Sequence, residues 1–126
     1  MLAGFNDSVF KVAQAYFDAM AAKDVAGIMK LVSQDITCSS PLGALAGASA
    51  FRGFQDGFAR MTERLTLVAA LADDGDAMLV YVANTKPVAE AYVAEHLTVR
   101  DGKIVALRVI YDSAPFADYA ASVQPH

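Results

Sequence analysis

The stretch Val88 to Asp112, VAEAYVAEHLTVRDGKIVALRVIYD, decides the fold. Two runs rich in β-branched and apolar residues flank Asp101-Gly102, a pair that tolerates the positive φ angles of a two-residue β-turn. The reading is one long strand over Val88 to Arg100, a tight hairpin, and a second strand over Lys103 to Asp112 that Pro115 stops. The same period extends upstream. Leu65, Leu67, Ala69 and Leu71 alternate with Thr66, Val68 and Ala70, Asp73-Asp74-Gly75-Asp76 makes a turn, and Met78 to Thr85 is a further strand broken by Lys86-Pro87.

The first half of the chain has the helical period instead. Val9, Val12, Ala13, Tyr16, Phe17, Met20 and Ala21 form one apolar stripe, with Asn6 or Asp7 placed to cap it. Val25, Ile28, Met29 and Val32 form a second, capped by Asp24. Phe51, Phe54, Phe58 and Met61 form a third, in which Gly53 and Gly57 are expected to let a neighbour pack close. Between the second and third, Ile36 to Ser40 is a brief extended piece, followed by Pro41 and a loose Gly43 to Gly47 loop. Helices first and hairpin-linked strands afterwards is the α+β pattern: three N-terminal helices packed on a curved, mainly antiparallel sheet enclosing an apolar pocket.

Bulk properties narrow the function. The 126 residues suit one domain, 1–126, with its core over about 6–116 and a C-terminal tail over 117–126. The chain is 56% hydrophobic, yet no run approaches the ~18 residues of a membrane helix, so the excess goes to a core, a pocket or a subunit interface. The net charge of −4, with Lys and Arg scattered, argues against a nucleic-acid surface and against an anionic membrane face. Met1 to Phe10 does not read as a signal peptide, and the single cysteine, Cys38, fits a reducing compartment, so a cytoplasmic location is expected. Neither His96 nor His126 belongs to a cluster with metal-ligand spacing. No metal and no cofactor are expected.

The element order resembles the nuclear transport factor 2-like superfamily, and within it the ketosteroid isomerase-like and SnoaL-like polyketide cyclase group. The likeness runs from roughly Phe10 to Phe116. It is carried by Tyr16-Phe17 through Lys23-Asp24-Val25-Ala26-Gly27-Ile28, by Ser40-Pro41-Leu42-Gly43, and by Glu95-His96-Leu97 leading into Asp101-Gly102-Lys103-Ile104-Val105. It implies a cone-shaped fold with a pocket. It does not fix a reaction, because such folds host many chemistries.

Two residues stand out as catalytic candidates. Glu95 interrupts the row Ala89, Ala91, Val93, Leu97, Val99. If that row faces the pocket, Glu95 is a desolvated acid with a raised pKa; if the strand is flipped, it is an ordinary surface residue. Tyr16 lies in the apolar stripe of the first helix and reads by itself as a core tyrosine. The resemblance adds that ketosteroid isomerases build an oxyanion hole from a tyrosine at this place and a protonated aspartic acid on the third strand. Tyr16 matches the first and Glu95 falls at the second, implying a pair of donors to a carbonyl or enolate oxygen. The group's bases are missing, however. The isomerase aspartate falls at Ser40, the cyclase aspartate at Val109, and the cyclase histidine at Glu95 itself.

The pocket set expected around this pair is Ser40, Phe54, Gln55, Val80, Val82, Asn84, Val109 and Tyr111. His96 should point away from Glu95, and Arg108 and Asp112 should form a solvated ion pair. Leu79, Tyr81 and Tyr92 then fall on the opposite face, which predicts a homodimer. Two functions follow. One is a small apolar oxygenated molecule bound by a cofactor-free isomerase, cyclase or dehydratase through a Tyr/Glu hydrogen-bonding pair. The other is a non-catalytic ligand-binding or dimerisation domain that has lost the group's bases.

Overall fold

The computed structural model describes residues 7–123. Helix α1 (Asp7–Ala21) buries Val9, Ala13, Tyr16, Phe17 and Met20, one stripe at i, i+4, i+7, i+8 and i+11. Asp24 caps α2 (Val25–Met29), its carboxylate accepting from the Gly27 amide at 2.9 Å. Asn6, the other candidate cap of the first helix, lies outside the described residues. Strand β1 (Val32–Ser40) turns at Pro41-Leu42 into β2 (Gly43–Ala46), then α3 (Ala48–Met61) leads into β3 (Thr62–Ala72). Strands β4 (Asp76–Thr85), β5 (Ala91–Arg100) and β6 (Lys103–Ile110) complete the meander, and α4 (Ala114–Val123) follows.

The six strands form one open, curved sheet in the order β2-β1-β6-β5-β4-β3. Only β1 and β6 run parallel; every other neighbouring pair is antiparallel. The β5–β6 hairpin turns at Asp101 (φ 51°) and Gly102 (φ 75°), the left-handed pair that its sequence predicts. Helices α1 and α3 cover the concave face, where Ile28, Ile36, Phe51, Leu79, Leu97 and Ile104 are buried with the α1 stripe.

Four local expectations differ. The Gly43 to Gly47 segment is mostly strand: β2 pairs Ala46 with Thr37 and Gly43 with Ser40, satisfying backbone groups that a loose loop would leave to water. Helix α2 stops at Met29, because Val32 is captured by pairing with Ile104 of β6. Strand β5 begins at Ala91, since the Thr85 side chain folds the Lys86–Glu90 turn by donating to the Val88 carbonyl at 2.7 Å. Helix α4 runs from Ala114 across the start of the expected tail to Val123, and β6 gives way before it at Ile110.

A β-bulge positions the cavity side of β6. Thr98 pairs with Ala106 but Val99 pairs with Ile104, so Val105 is an extra residue. The insertion resets the alternation, and Ile104, Leu107 and Val109 all turn inward. In an unbroken two-residue period Val109 would face outward when Ile104 faces in.

Candidate functional site

The functional candidate is a chain of four polar side chains at one end of an apolar cavity. Strand β5 alternates with its even-numbered residues outward, so Glu95 turns inward between Val93 and Leu97 and is 2% exposed. Its neighbours directly across the sheet are Leu79 on β4 and Val109 on β6. Tyr81, opposite Val93, is therefore diagonal to Glu95 on the same face, within reach of a long side chain.

The contacts are closely matched. The Tyr16 hydroxyl, fully buried in α1, donates to Glu95 Oε1 at 2.7 Å, and the Tyr81 hydroxyl donates to Glu95 Oε2. Gln55, buried in α3, donates from Nε2 to the Tyr16 hydroxyl oxygen at 3.1 Å. Four elements, α1, α3, β4 and β5, thus meet in one network with sequence separations up to 79 residues. The Tyr81 ring is held from behind by Phe17, centroid to centroid 5.6 Å and tilted 56°.

Burial dominates the electrostatics. Desolvation raises the Glu95 pKa above its ordinary value, and the hydrogen bonds from Tyr81 and Tyr16 oppose that rise without cancelling it. Burial, then the adjacent Glu95 charge, pushes the Tyr16 and Tyr81 phenols well up. Cys38 on β1 is pushed up to about 11 by burial first and Glu95 second, which keeps it a thiol rather than a nucleophilic thiolate.

The network allows two proton arrangements, and they differ in whether the Tyr81 proton is used inside the network or offered to the cavity. With Glu95 ionised, both phenols donate to it. With Glu95 protonated, its own O–H donates to the Tyr81 oxygen, and the Tyr81 proton turns toward the cavity. Gln55, Tyr16, Glu95 and Tyr81 then donate in one direction, each bond polarising the next.

The cavity is about 360 Å³ and is lined by Glu95, Tyr81, Gln55 and Tyr111 amid apolar side chains, chiefly Met20, Phe54, Phe58, Met61, Val93 and Val109. Gly53 and Gly57 of α3 also line it, and a Cβ at Gly53 would meet nothing within 4 Å. Gly53 therefore admits no close-packed neighbour, and a Cβ at Gly57 would meet the Arg60 guanidinium at 3.8 Å. Phe116 of α4 borders it too, edge-on to Tyr111 at 5.3 Å.

Of the residues singled out from sequence, Glu95, Phe54, Gln55, Val109 and Tyr111 line the cavity. Tyr16 does not line it and reaches it through its hydrogen-bond partners Glu95 and Gln55. Ser40 does not line it; its hydroxyl closes the turn to β2, accepting from the Leu42 amide at 3.1 Å. Val80 and Val82 face outward, because β4 has the opposite phase and turns Leu79, Tyr81 and Ala83 inward. Leu79 and Tyr81 are therefore core and cavity residues, not part of an outer patch. Asn84 also faces outward and donates to the Ala89 carbonyl at 2.8 Å. His96 lies on the outer face as expected, 2.8 Å from Asp76. Asp112 does not pair with Arg108; its carboxylate accepts from the Ala114 amide at 3.1 Å at the start of α4.

Tyr81 is the member of this network that sequence reading missed. Both faces of β4 are apolar, Met78, Val80 and Val82 against Leu79, Tyr81 and Ala83, so composition gives no phase. The usable signal was pairing: fixing Glu95 inward on β5 fixes the inward set of β4 through the register. Among the described residues no group of three His, Cys, Asp or Glu side chains could hold a metal, and no helix is long and apolar enough to cross a membrane.

Solved structures share this architecture. A protein from Kribbella flavida is 38% identical, with a TM-score of 0.85 over 90% of this chain and 93% of its own. A steroid delta-isomerase from Pseudomonas aeruginosa is 18% identical, with a TM-score of 0.78 over 95% and 90%. A nuclear transport factor 2-like protein from Cytophaga hutchinsonii is 15% identical, with a TM-score of 0.76 over 93% and 99%. The last two are likenesses of fold. No curated protein matches the chain in sequence. Residues 13–107, most of the helices and sheet just described, match the SnoaL-like domain, and the chain belongs to that family.

Proposed function

We propose that the chain binds a small apolar molecule bearing a carbonyl or hydroxyl oxygen, and that Tyr81, backed by protonated Glu95, donates a hydrogen bond to that oxygen. The observation that carries this reading is Glu95, buried between two phenols at the edge of an apolar cavity. A core with no ligand to meet has little use for an acid whose desolvation costs several kcal/mol when it is ionised. The arrangement suits stabilisation of a developing oxyanion or protonation of a leaving oxygen. Among the described residues no second carboxylate and no histidine lines the cavity to accept a proton in return. This favours binding and acid-type catalysis over the base-dependent isomerase and cyclase reactions.

Titration with a naphthol, followed by fluorescence, tests the reading, with naphthalene as the control. Tyr81→Phe keeps the ring packed on Phe17 and removes the donor. It should weaken naphthol binding by about three- to tenfold, the range of one neutral hydrogen bond, and leave naphthalene unchanged. Equal naphthol affinity in the two proteins would rule out Tyr81 as the donor.

We propose a second copy of the chain as the partner on the convex face of the sheet. Met78, Tyr92 and Ile110 are exposed there, with Val80 and Val82 half-buried beside them. Arg108 and the Asp76–His96 pair on the same face supply opposite charges that a two-fold related copy could match. Light scattering at micromolar concentration should give about twice 13.3 kDa, and replacing Tyr92 by lysine should give the monomer mass. A monomer in the wild type would refute this partner.

A further inference from the structure

The cavity continues outward into a shallower depression. The two share Leu42, Gly57, Met61, Tyr111 and Phe116, and the outer one adds Arg60, Lys86 and Pro87. The surroundings change from apolar to cationic over that short distance. Arg60 is in the last turn of α3 and Lys86 directly follows β4; the Lys86 amide ties them together by donating to the Met61 carbonyl at 2.9 Å. Both side chains are exposed. The acid one turn before Arg60, Asp56, is engaged with Arg52 at 4.0 Å. Among the described residues neither Arg60 nor Lys86 has an ion-pair partner. A chain of net charge −4 therefore presents two uncompensated cations at the rim of its apolar cavity.

We infer that the ligand is an amphipathic carboxylic acid, its apolar body in the cavity, its oxygen function at Tyr81, and its carboxylate at the rim between Arg60 and Lys86. This rests on the reading of the cavity proposed above and adds the second polar end of the molecule. The chemistry fits. A guanidinium offers paired donors matched to a carboxylate, and a flexible ammonium adds a second charge without demanding fixed geometry. A carboxylate left at the rim keeps its water, so it escapes the penalty of entering the apolar interior. Arg60 also sits where a helix C-terminus favours a cation, a role that needs no ligand. The test must separate the two.

The probes are a hydroxynaphthoic acid, with phenol and carboxylate at opposite ends of the ring system, its methyl ester, and the parent naphthol. Binding is measured by calorimetry at low and high salt, to the wild type and to the Arg60→Gln/Lys86→Gln double variant. Exposed charge pairs are each worth a factor of about two to five. The acid should therefore bind about fivefold or more tightly than the ester at low salt. The advantage should shrink at high salt and vanish in the double variant, while ester affinity stays the same. Equal affinities for acid and ester in the wild type would overturn the inference, and so would an advantage that survives in the double variant. If naphthol binds and the acid does not, the inference fails and the cavity reading stands. If none of the three binds, both fail together.

Discussion

Glu95→Ala should destabilise the fold by about 3–5 kcal/mol, whereas Glu95→Gln should cost less than about 1 kcal/mol at neutral pH. The difference lies in what each leaves behind. Alanine removes the acceptor of both phenols, which are 0% and 1% exposed. A buried hydroxyl left without a partner costs about 1–3 kcal/mol, and the deleted side chain leaves a void whose walls lose contacts. Glutamine reproduces the protonated acid. Its carbonyl accepts from Tyr16, its amide donates to the Tyr81 oxygen, and the Tyr81 proton is released toward the cavity. Denaturant unfolding at pH 7 measures both variants against the wild type. Similar losses for alanine and glutamine would mean that the carboxylate's charge, not its hydrogen-bonding shape, holds the site together.

The second expectation is that wild-type stability falls as pH rises from about 4.5 through the folded-state pKa of Glu95, and that Glu95→Gln lacks this fall. Burial raises the Glu95 pKa in the folded chain. In the window between the unfolded and folded values the native state holds a proton that the unfolded state has released. Stability therefore declines with increasing pH there, and is fully present below the unfolded value. Each unit of elevation contributes about 1.4 kcal/mol across the window. The groups facing Glu95 do not obscure the effect, since Tyr16, Tyr81 and Cys38 are all pushed toward higher pH. Asp73 has the opposite sign. Its carboxylate accepts from the Gly75 and Asp76 amides, its pKa is lowered, and what it contributes is lost as pH falls. It lies in an exposed turn common to both proteins, so subtracting the Glu95→Gln curve from the wild-type curve removes it. A difference curve flat from pH 4 to pH 9 would show a solvated carboxylate, and with it the neutral-acid donor would have to be abandoned.

The amino-acid sequence determined the class of fold, three helical stripes and the β3–β6 meander, because those signals are local. The Tyr16–Phe17–Met20 spacing closes on itself within one helix, and Asp101-Gly102 specifies its own turn. Glu95 was legible for a related reason: a single acid in an apolar row stands out whichever way the strand faces. The tertiary structure decided what depends on pairing between distant segments. Gly43–Ala46 became a strand only because β1 lay alongside to accept its hydrogen bonds. Val109 reached the cavity through a bulge at Val105 that no residue there announces. Tyr81 exchanged places with Val80 and Val82 because β4 is apolar on both faces from Met78 to Ala83. Its phase was set by hydrogen bonds to β5, where Leu79 meets Glu95 and Tyr81 meets Val93. An alternating pattern encodes which residues share a face. Which face turns inward is encoded only where the two differ in polarity, and from Met78 to Ala83 of β4 they do not.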